Sequence, residues 1–104
     1  MNGQMRRGVL EMCVLRTIAE RESYGYEILK TVGGLFPGMD RSTVYAVLRR
    51  LSAVGDAEIR VTEEESGGPA RKYYRITPQG LTDLHSCEEE WRALRAAVEK
   101  IGIQ

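Results

Sequence analysis

A ten-residue stretch, residues 71–80 (RKYYRITPQG), places a basic, aromatic segment directly before a helix start. Its two tyrosines and Ile76 favour an extended strand. The Thr77 hydroxyl can cap a following helix, and Pro78 suits the first helical position because no backbone donor is lost there. The sequence therefore predicts a strand that ends at Ile76 and a helix that begins immediately afterwards.

Two amphipathic helices are predicted upstream of this strand. Residues 23–29 (SYGYEIL) start one helix, and the glycines and proline of residues 33–38 separate it from the next. The second helix has a polar face and an apolar face. The apolar face consists of Val44, Val47, Leu48, Leu51 and Val54. Two short helices joined by a turn and followed by a basic hairpin predict a winged helix-turn-helix. The predicted fold class is mainly α, with a small two-stranded β wing.

Helices are also predicted at both ends of the chain. The first covers Met5 to Glu20, and its apolar residues spread over more than one face, so it should be buried on two sides. The last helix carries an apolar seam spaced 3, 4, 3, 4, 3: Leu84, Cys87, Trp91, Leu94, Val98 and Ile101. The rest of this small domain offers no further apolar surface against which the seam could pack. The pattern therefore predicts a homodimer. Val9 and Cys13 of the first helix complete the predicted dimer interface.

The charges of the chain are unevenly distributed. The 104 residues carry a formal net charge of zero and suit one domain. Residues 41–50 hold three arginines and no acid, and residues 69–76 hold three basic residues and no acid. The acidic runs at residues 63–65 and 88–90 are typical of solvated faces, and the first should lie on the wing, pointing away from phosphate. The two basic segments are candidates for contact with double-stranded DNA.

The second helix of a helix-turn-helix meets base edges with its N-terminal part, while flanking groups hold phosphates. Arginine can pair with guanine through two hydrogen bonds, and tyrosine can reach a phosphate or a thymine methyl group. The predicted contacts in this helix are Arg41, Ser42, Thr43, Tyr45 and Arg49.

Further DNA contacts are predicted on either side of this helix. Tyr24 and Tyr26 can offer hydroxyl and backbone N–H groups to phosphate, although Tyr26 could equally be a core residue. In the wing, the glycines at 67 and 68 permit a tight reversal, and Arg71 and Lys72 can reach the DNA backbone or the minor groove. The neighbouring tyrosines at 73 and 74 point to opposite faces of a strand, so one of them should be core.

These segments together resemble the PadR family of bacterial transcriptional regulators. Three motifs carry the resemblance in order: residues 24–29 (YGYEIL), residues 43–51 (TVYAVLRRL) followed by Gly55, and residues 71–80. The resemblance runs almost the full length, and the short C-terminal region is similar to that of compact members with one dimerisation helix. It implies a homodimer that binds a pseudo-palindromic operator and represses transcription, with DNA-binding residues 1–80 and a dimerisation helix at 81–104.

The chain departs from the family pattern at two places. Many members have a proline just after the recognition-helix tyrosine, where this chain has Ala46, which should leave the helix more regular. Many also have an apolar pair after the glycine, where this chain has Asp56 and Ala57. The second departure is expected to weaken the local packing of the core.

Trp91 lies at the centre of the seam, where a smaller aliphatic group is usual. In some compact PadR proteins an aromatic residue at the equivalent position stacks on planar ligands between the subunits, so the resemblance implies a small aromatic effector. The alternative is that Trp91 is a packing anchor of the interface. Arg95, one turn further on, and Arg92, beside Trp91, would make the rim of such a pocket cationic and favour an anionic aromatic such as a phenolic acid.

Other classes of protein are disfavoured. His85 is the only histidine, and Cys87 lies on another side of the same helix, so the sequence predicts no enzyme, no metal site and no cofactor. Both cysteines fall in apolar helical patterns, which favours core thiols and a reducing cytoplasm over a disulfide. The apolar run at residues 9–19 is short and charged, so no membrane segment is expected. A winged helix that binds only proteins is the remaining alternative.

Overall fold

The computed structural model describes residues 3–36, 38–62 and 70–104, with side chains from residue 6 onward. In chain order its elements are α1 (Gly3–Glu20), β1 (Ser23–Tyr24), α2 (Gly25–Gly33), α3 (Arg41–Val54), β2 (Ala57–Thr62), β3 (Arg71–Ile76) and α4 (Pro78–Ile101). The predicted fold class is confirmed: α2 and α3 form the helix-turn-helix, and β2 and β3 form the wing. Pro37, the acidic run at 63–65 and the glycines at 67 and 68 lie outside the described residues.

Within the described residues the sheet has three strands, one more than predicted. Its order is β1-β3-β2, both pairings are antiparallel, and Ser23 and Tyr24 lie opposite Tyr74 and Tyr73. The sequence interpretation placed Ser23 and Tyr24 inside α2. The backbone of Tyr24 is instead extended, with φ −86° and ψ 160°, and the helix begins at Gly25. A two-residue strand is too short to produce a periodic signal, so only its pairing with β3 identifies it.

One hydrophobic core joins all the helices. Helix α1 contributes from several faces and packs against α2, α3, α4 and β3, in agreement with the expectation that it is buried on more than one side. The buried apolar side chains are Leu10, Val14, Leu15, Ile18, Ile28, Val32, Val44, Val47, Leu48, Leu51, Ala57, Tyr74 and Leu84. Tyr74 is buried and Tyr73 is only half-buried, which confirms that one wing tyrosine is core. None of the helices within the described ranges is long and apolar enough to cross a membrane.

The start of α4 packs tightly on the turn between α3 and β2. The Thr77 hydroxyl accepts a hydrogen bond from the Gly80 backbone (3.0 Å), and Pro78 occupies the first turn, as predicted. Helix α3 ends at Val54 and is capped by Gly55, whose φ of 90° is left-handed. A Cβ on Gly80 would lie only 2.1 Å from the Asp56 carbonyl oxygen. The two backbones can therefore meet only because residue 80 has no side chain.

Asp56 is buried at this junction and is well bonded. Its backbone N–H donates to the Leu51 carbonyl (2.9 Å), its carbonyl accepts from Thr77 N–H (3.1 Å), and its carboxylate accepts from Gln79 Nε2 (3.0 Å). A hydrogen bond with this carboxyl, together with its negative charge, raises the pKa of Asp83 on α4. The departure from the family pattern at Asp56 is thus a buried side chain whose polar groups are hydrogen-bonded.

Gly80→Ala should destabilise the fold by about 3 kcal/mol, because the new methyl group would meet a backbone carbonyl that cannot rotate away. The measurement is urea unfolding followed by circular dichroism. Gly33→Ala is the matched control, since its Cβ would lie 3.6 Å from Leu29 Cδ1, an ordinary contact. A Gly80→Ala variant as stable as the Gly33→Ala variant would contradict the close approach.

Candidate nucleic-acid interface

The outer face of α3 carries the predicted recognition residues. Val44, Val47, Leu48 and Leu51 fix the helix on the core, which leaves its polar side chains on the surface. The exposed predicted residues are Arg41, Ser42, Thr43 and Arg49, whereas Tyr45 is half-buried. The predicted apolar face is one residue too long, because Val54 is 48% exposed at the end of the helix.

The N-terminus of α3 is held by Asp40. Its Oδ1 accepts hydrogen bonds from the Ser42 hydroxyl (2.7 Å), the Thr43 N–H (2.9 Å) and the Thr43 hydroxyl (2.9 Å). These bonds, with that from Ser42 the largest contribution, lower the pKa of Asp40. Sequence reasoning missed this cap, although an aspartate two to three residues before hydroxyl side chains is a typical signal. It preorganises Ser42 and Thr43, whose hydroxyl oxygens remain able to accept hydrogen bonds.

The arginines of α3 divide into two kinds. Arg50 Nε lies 2.7 Å from Glu11 Oε1, so it ties α3 to α1. Within the part of the chain that the structure describes, Arg41 and Arg49 have no ion-pair partner. Their charges are therefore available to an external anion, while that of Arg50 is largely neutralised within the fold.

The wing is also partly neutralised. Arg60 Nε donates to Glu22 Oε1 (2.7 Å), and Arg75 pairs with Glu58 at 2.6 Å across β2 and β3. The hydrogen bond and charge of Glu58 raise the pKa of Arg75. Sequence reasoning counted Arg75 as part of a basic patch, because a count of charges does not contain the strand register that places it opposite Glu58. The predicted wing contacts Arg71 and Lys72 are both exposed.

An aromatic cluster joins the wing to the start of α2. The Tyr24 ring lies 5.8 Å from Tyr73, edge to face, and 6.4 Å from Tyr26, stacked. The Arg71 guanidinium lies 4.6 Å from the centre of the Tyr24 ring, within the range of a cation–π contact. Tyr26 is 51% exposed. This decides the alternative left open by the sequence: Tyr26 is a surface residue, not a core residue.

The predicted phosphate contacts converge on one small notch of about 260 Å³. It lies where α2, α3 and β3 meet, and its lining includes five of the nine predicted DNA-binding residues: Tyr24, Tyr26, Tyr45, Arg71 and Lys72. Tyr74 forms its inner wall. Burial raises the pKa of Tyr74, the nearby Tyr45 raises it further, and the nearby Arg49 lowers it. Hydroxyl groups and cations around a concave surface suit a phosphate of the DNA backbone.

A second concave surface lies between α1 and α4. Every residue from Glu89 to Gln104 is exposed, and this part of α4 still carries large apolar side chains: Trp91, Leu94, Val98, Ile101 and Ile103. Together with Gly8, Val9 and Met12 of α1, most of these form an apolar groove of about 1070 Å³. Cys87 also lines it. Cys13 lies in a separate groove on the other side of Trp91.

Two of the predictions for this region need correction. Leu84 is 1% exposed and belongs to the chain's own core, because α4 begins by packing on α1; it is not available to a second subunit. Arg95 Nε donates to Glu99 Oε1 at 3.0 Å, and Glu90 also lines the groove. One arginine and two glutamates give the lining a formal charge of −1, not the cationic rim that the sequence suggested.

The two cysteines lie on α1 and α4. Cys13 and Cys87 are free and half-buried, and burial raises the pKa of both thiols, so few are ionised near neutral pH. Among the described residues, no group of histidine, cysteine and acidic side chains is arranged to hold a metal ion.

Comparison with known proteins agrees with this geometry. Residues 14–86 match the model of the transcriptional regulator PadR-like family. The chain belongs to the PadR-like family. An uncharacterized protein of Lysinibacillus sphaericus is 33% identical over 96 residues, which cover 89% of this chain and 87% of that protein.

Solved structures of PadR proteins are similar over most of the chain. The PadR-like transcriptional regulator of Bacillus cereus is 32% identical with a TM-score of 0.82, and the match covers 94% of this chain and 95% of that one. A PadR family transcriptional regulator of Eggerthella lenta is 34% identical with a TM-score of 0.80, and the match covers 94% and 85%. PadR proteins are DNA-binding transcriptional regulators and not enzymes.

Proposed function

We propose that this PadR protein is a sequence-specific repressor that binds a pseudo-palindromic operator as a homodimer and is released by a planar aromatic effector. In this proposal residues 1–80 bind DNA and residues 81–104 form the dimerisation helix. Arg41 and Arg49 read base edges in the major groove, with Ser42 and Thr43 beside them. The notch residues hold a flanking phosphate.

The distribution of ion pairs is the observation that carries the DNA contact. The fold neutralises Arg50, Arg60 and Arg75 with glutamates, yet it leaves Arg41 and Arg49 without an ion-pair partner in the described residues. Unpaired positive charges on one face of a helix raise the local positive potential, which favours the binding of an anion. A winged helix that binds only a protein partner gives no reason for this sorting, which favours DNA over that alternative.

Dimerisation is supported by the exposed second half of α4. An amphipathic helix is marginal in water unless its apolar stripe is buried, and Trp91, Leu94 and Val98 are 42%, 54% and 42% exposed in one subunit. The groove on α1 beside them is apolar as well. A second copy of the chain, with its α4 laid against this α1, covers both surfaces at once and is the occupant that we propose.

Two-fold symmetry then determines the operator. Two α3 helices related by the dimer axis should enter successive major grooves about 34–36 Å apart, one helical turn of DNA. Such a protein bound across a promoter blocks transcription. The repressor role rests on this exclusion and on the family likeness.

The effector site is proposed at the groove around Trp91, which two-fold pairing would close into a chamber between the subunits. An aromatic wall of this kind suits a flat ring system. Because Arg95 is paired with Glu99 and Glu90 adds a further negative charge, we expect the chamber to prefer planar cations over planar carboxylates.

Arg49→Ala should weaken operator binding by about tenfold and reduce the salt dependence, because one phosphate or base contact is lost. Fluorescence anisotropy with the duplex upstream of the protein's own gene, against a scrambled duplex at two salt concentrations, measures this effect. Arg75→Ala is the matched control, since Arg75 is an exposed arginine already neutralised by Glu58, and it should retain near-normal affinity. Equal losses in both variants, or none in either, would count against DNA reading by α3.

Leu94→Glu should shift the protein from dimer to monomer, because a carboxylate would be placed in the apolar groove at a cost of several kcal/mol. Sedimentation velocity over a range of protein concentrations reports the change. Leu81→Glu is the control: it lies on the same helix and is 40% exposed, but it is outside the groove. A Leu94→Glu variant that remains as dimeric as the control would exclude this interface.

Proflavine, a planar cation, should quench Trp91 fluorescence at concentrations about tenfold lower than anthracene-9-carboxylate, a planar anion of similar size. Trp91 is the only tryptophan, so its emission reports the groove directly. Glu90→Gln should reduce the difference between the concentrations at which the two compounds quench Trp91 fluorescence, because it removes one negative charge from the groove. Tighter binding of the carboxylate would show that Glu90 and Glu99 do not set the charge preference of the groove.

A further inference from the structure

Gly25 is buried at the first position of α2, directly beneath the ring of Tyr45. A Cβ built on Gly25 would lie 2.8 Å from Tyr45 Cε1, 3.2 Å from its hydroxyl oxygen and 3.4 Å from Cζ. Carbon atoms that are not bonded to each other do not approach to 2.8 Å without displacing one another. The phenol of Tyr45 therefore occupies the space that a side chain at position 25 would need.

Tyr45 has further neighbours besides Gly25. It is half-buried and packs against the hydrophobic core. It also lines the notch between α2, α3 and β3, together with Tyr74, Arg71 and Lys72. The ring of Tyr45 is thus bordered by Gly25 of α2, by the core and by the notch residues of β3, and we call this arrangement the Tyr45 seat: Gly25, Tyr45 and Tyr74.

The Tyr45 seat lies beside the proposed base-reading residue. Arg49 follows Tyr45 by four residues and so lies on the same face of α3. It is also close enough to Tyr74 for its positive charge to influence that hydroxyl. A shift of the Tyr45 ring would consequently alter the notch that Tyr45 lines, on the helix face that also carries Arg49.

We propose that Gly25 is a positioning residue for DNA binding: because it has no side chain, it seats Tyr45 so that the hydroxyl donates to a backbone phosphate in the notch. The inference rests on the proposed DNA contact of α3. A ring already fixed in its binding orientation loses little conformational freedom when DNA arrives, so more of the contact energy appears as affinity. Position 25 then affects DNA binding although it touches no DNA.

A purely local role for Gly25 gives the opposite expectation. Alanine is a better helix former than glycine, so if only helix α2 mattered, Gly25→Ala would leave DNA binding intact and would not depend on residue 45. The two roles differ in whether positions 25 and 45 are coupled. A double-mutant cycle measures that coupling directly.

The experiment compares operator binding by the wild-type dimer, Gly25→Ala, Tyr45→Ala and the double variant, using fluorescence anisotropy at two salt concentrations. Gly25→Ala should weaken operator binding about tenfold in the wild-type background. In the Tyr45→Ala background, the same change should have no further effect, because the ring that it displaces is already gone. Gly33→Ala at the other end of α2, where a Cβ makes only an ordinary contact, should bind like the wild type.

Additive losses in the cycle, or normal binding by Gly25→Ala, would overturn the inference while leaving the proposed function intact. Failure of the wild-type protein to prefer any duplex would instead remove the proposed function and the inference with it. Thermal unfolding of the same four proteins covers the case in which Gly25→Ala does not fold. Recovery of folding in the double variant supports the Tyr45 seat, and an equally unfolded double variant contradicts it.

Discussion

The fold depends on the burial of α1 on several sides. Leu10, Val14, Leu15 and Ile18 are almost fully buried, and their helix packs against α2, α3, α4 and β3. A chain of 104 residues has little apolar surface to spare, so one central helix serves both the DNA-binding unit and the last helix. The less buried side of the same helix, with Val9 and Met12, lines the apolar groove beside α4. The core of the subunit and the proposed dimer surface are thus two sides of one element.

The same helix also links the groove to the recognition helix. Glu11 lies on α1 between the groove residues Val9 and Met12 in sequence, and it pairs with Arg50 of α3 at 2.7 Å. Helix α1 therefore borders the apolar groove with one side and contacts α3 with another, through this ion pair and through the packed core.

Much of this architecture follows from sequence pattern because the decisive signals are local. Thr77 with Pro78 marks the start of α4, Gly55 marks the end of α3, and alternation along β3 separates Tyr73 from Tyr74. The errors concern contacts between distant residues. The pairing of Ser23 and Tyr24 with β3, and of Glu58 with Arg75, depends on register, which no helical or strand period reveals.

Likewise, Leu84 has the spacing of the seam, but whether it faces the first helix of its own subunit or of another depends on how α4 docks. The error at Arg95 was avoidable from the sequence alone. Glu99 follows Arg95 by four residues, which is the spacing of an ion pair on a helix, so the sequence already predicted that the charge of Arg95 is neutralised.

The close contacts at Gly80 and Gly25 explain why these two positions of the family motifs are glycine in this chain. At Gly80 a missing side chain allows the backbone of α4 to touch the carbonyl of Asp56, and at Gly25 it allows an aromatic ring to touch the start of α2. The first contact joins two backbones, so its loss should affect the stability of this fold whatever the neighbouring side chains are. The second contact joins the backbone of Gly25 to the side chain of Tyr45, so its effect depends on the size and the function of the side chain at position 45. A glycine of the second kind should matter only where the recognition helix carries a large residue at that position, and its effect should appear in DNA binding more than in unfolding.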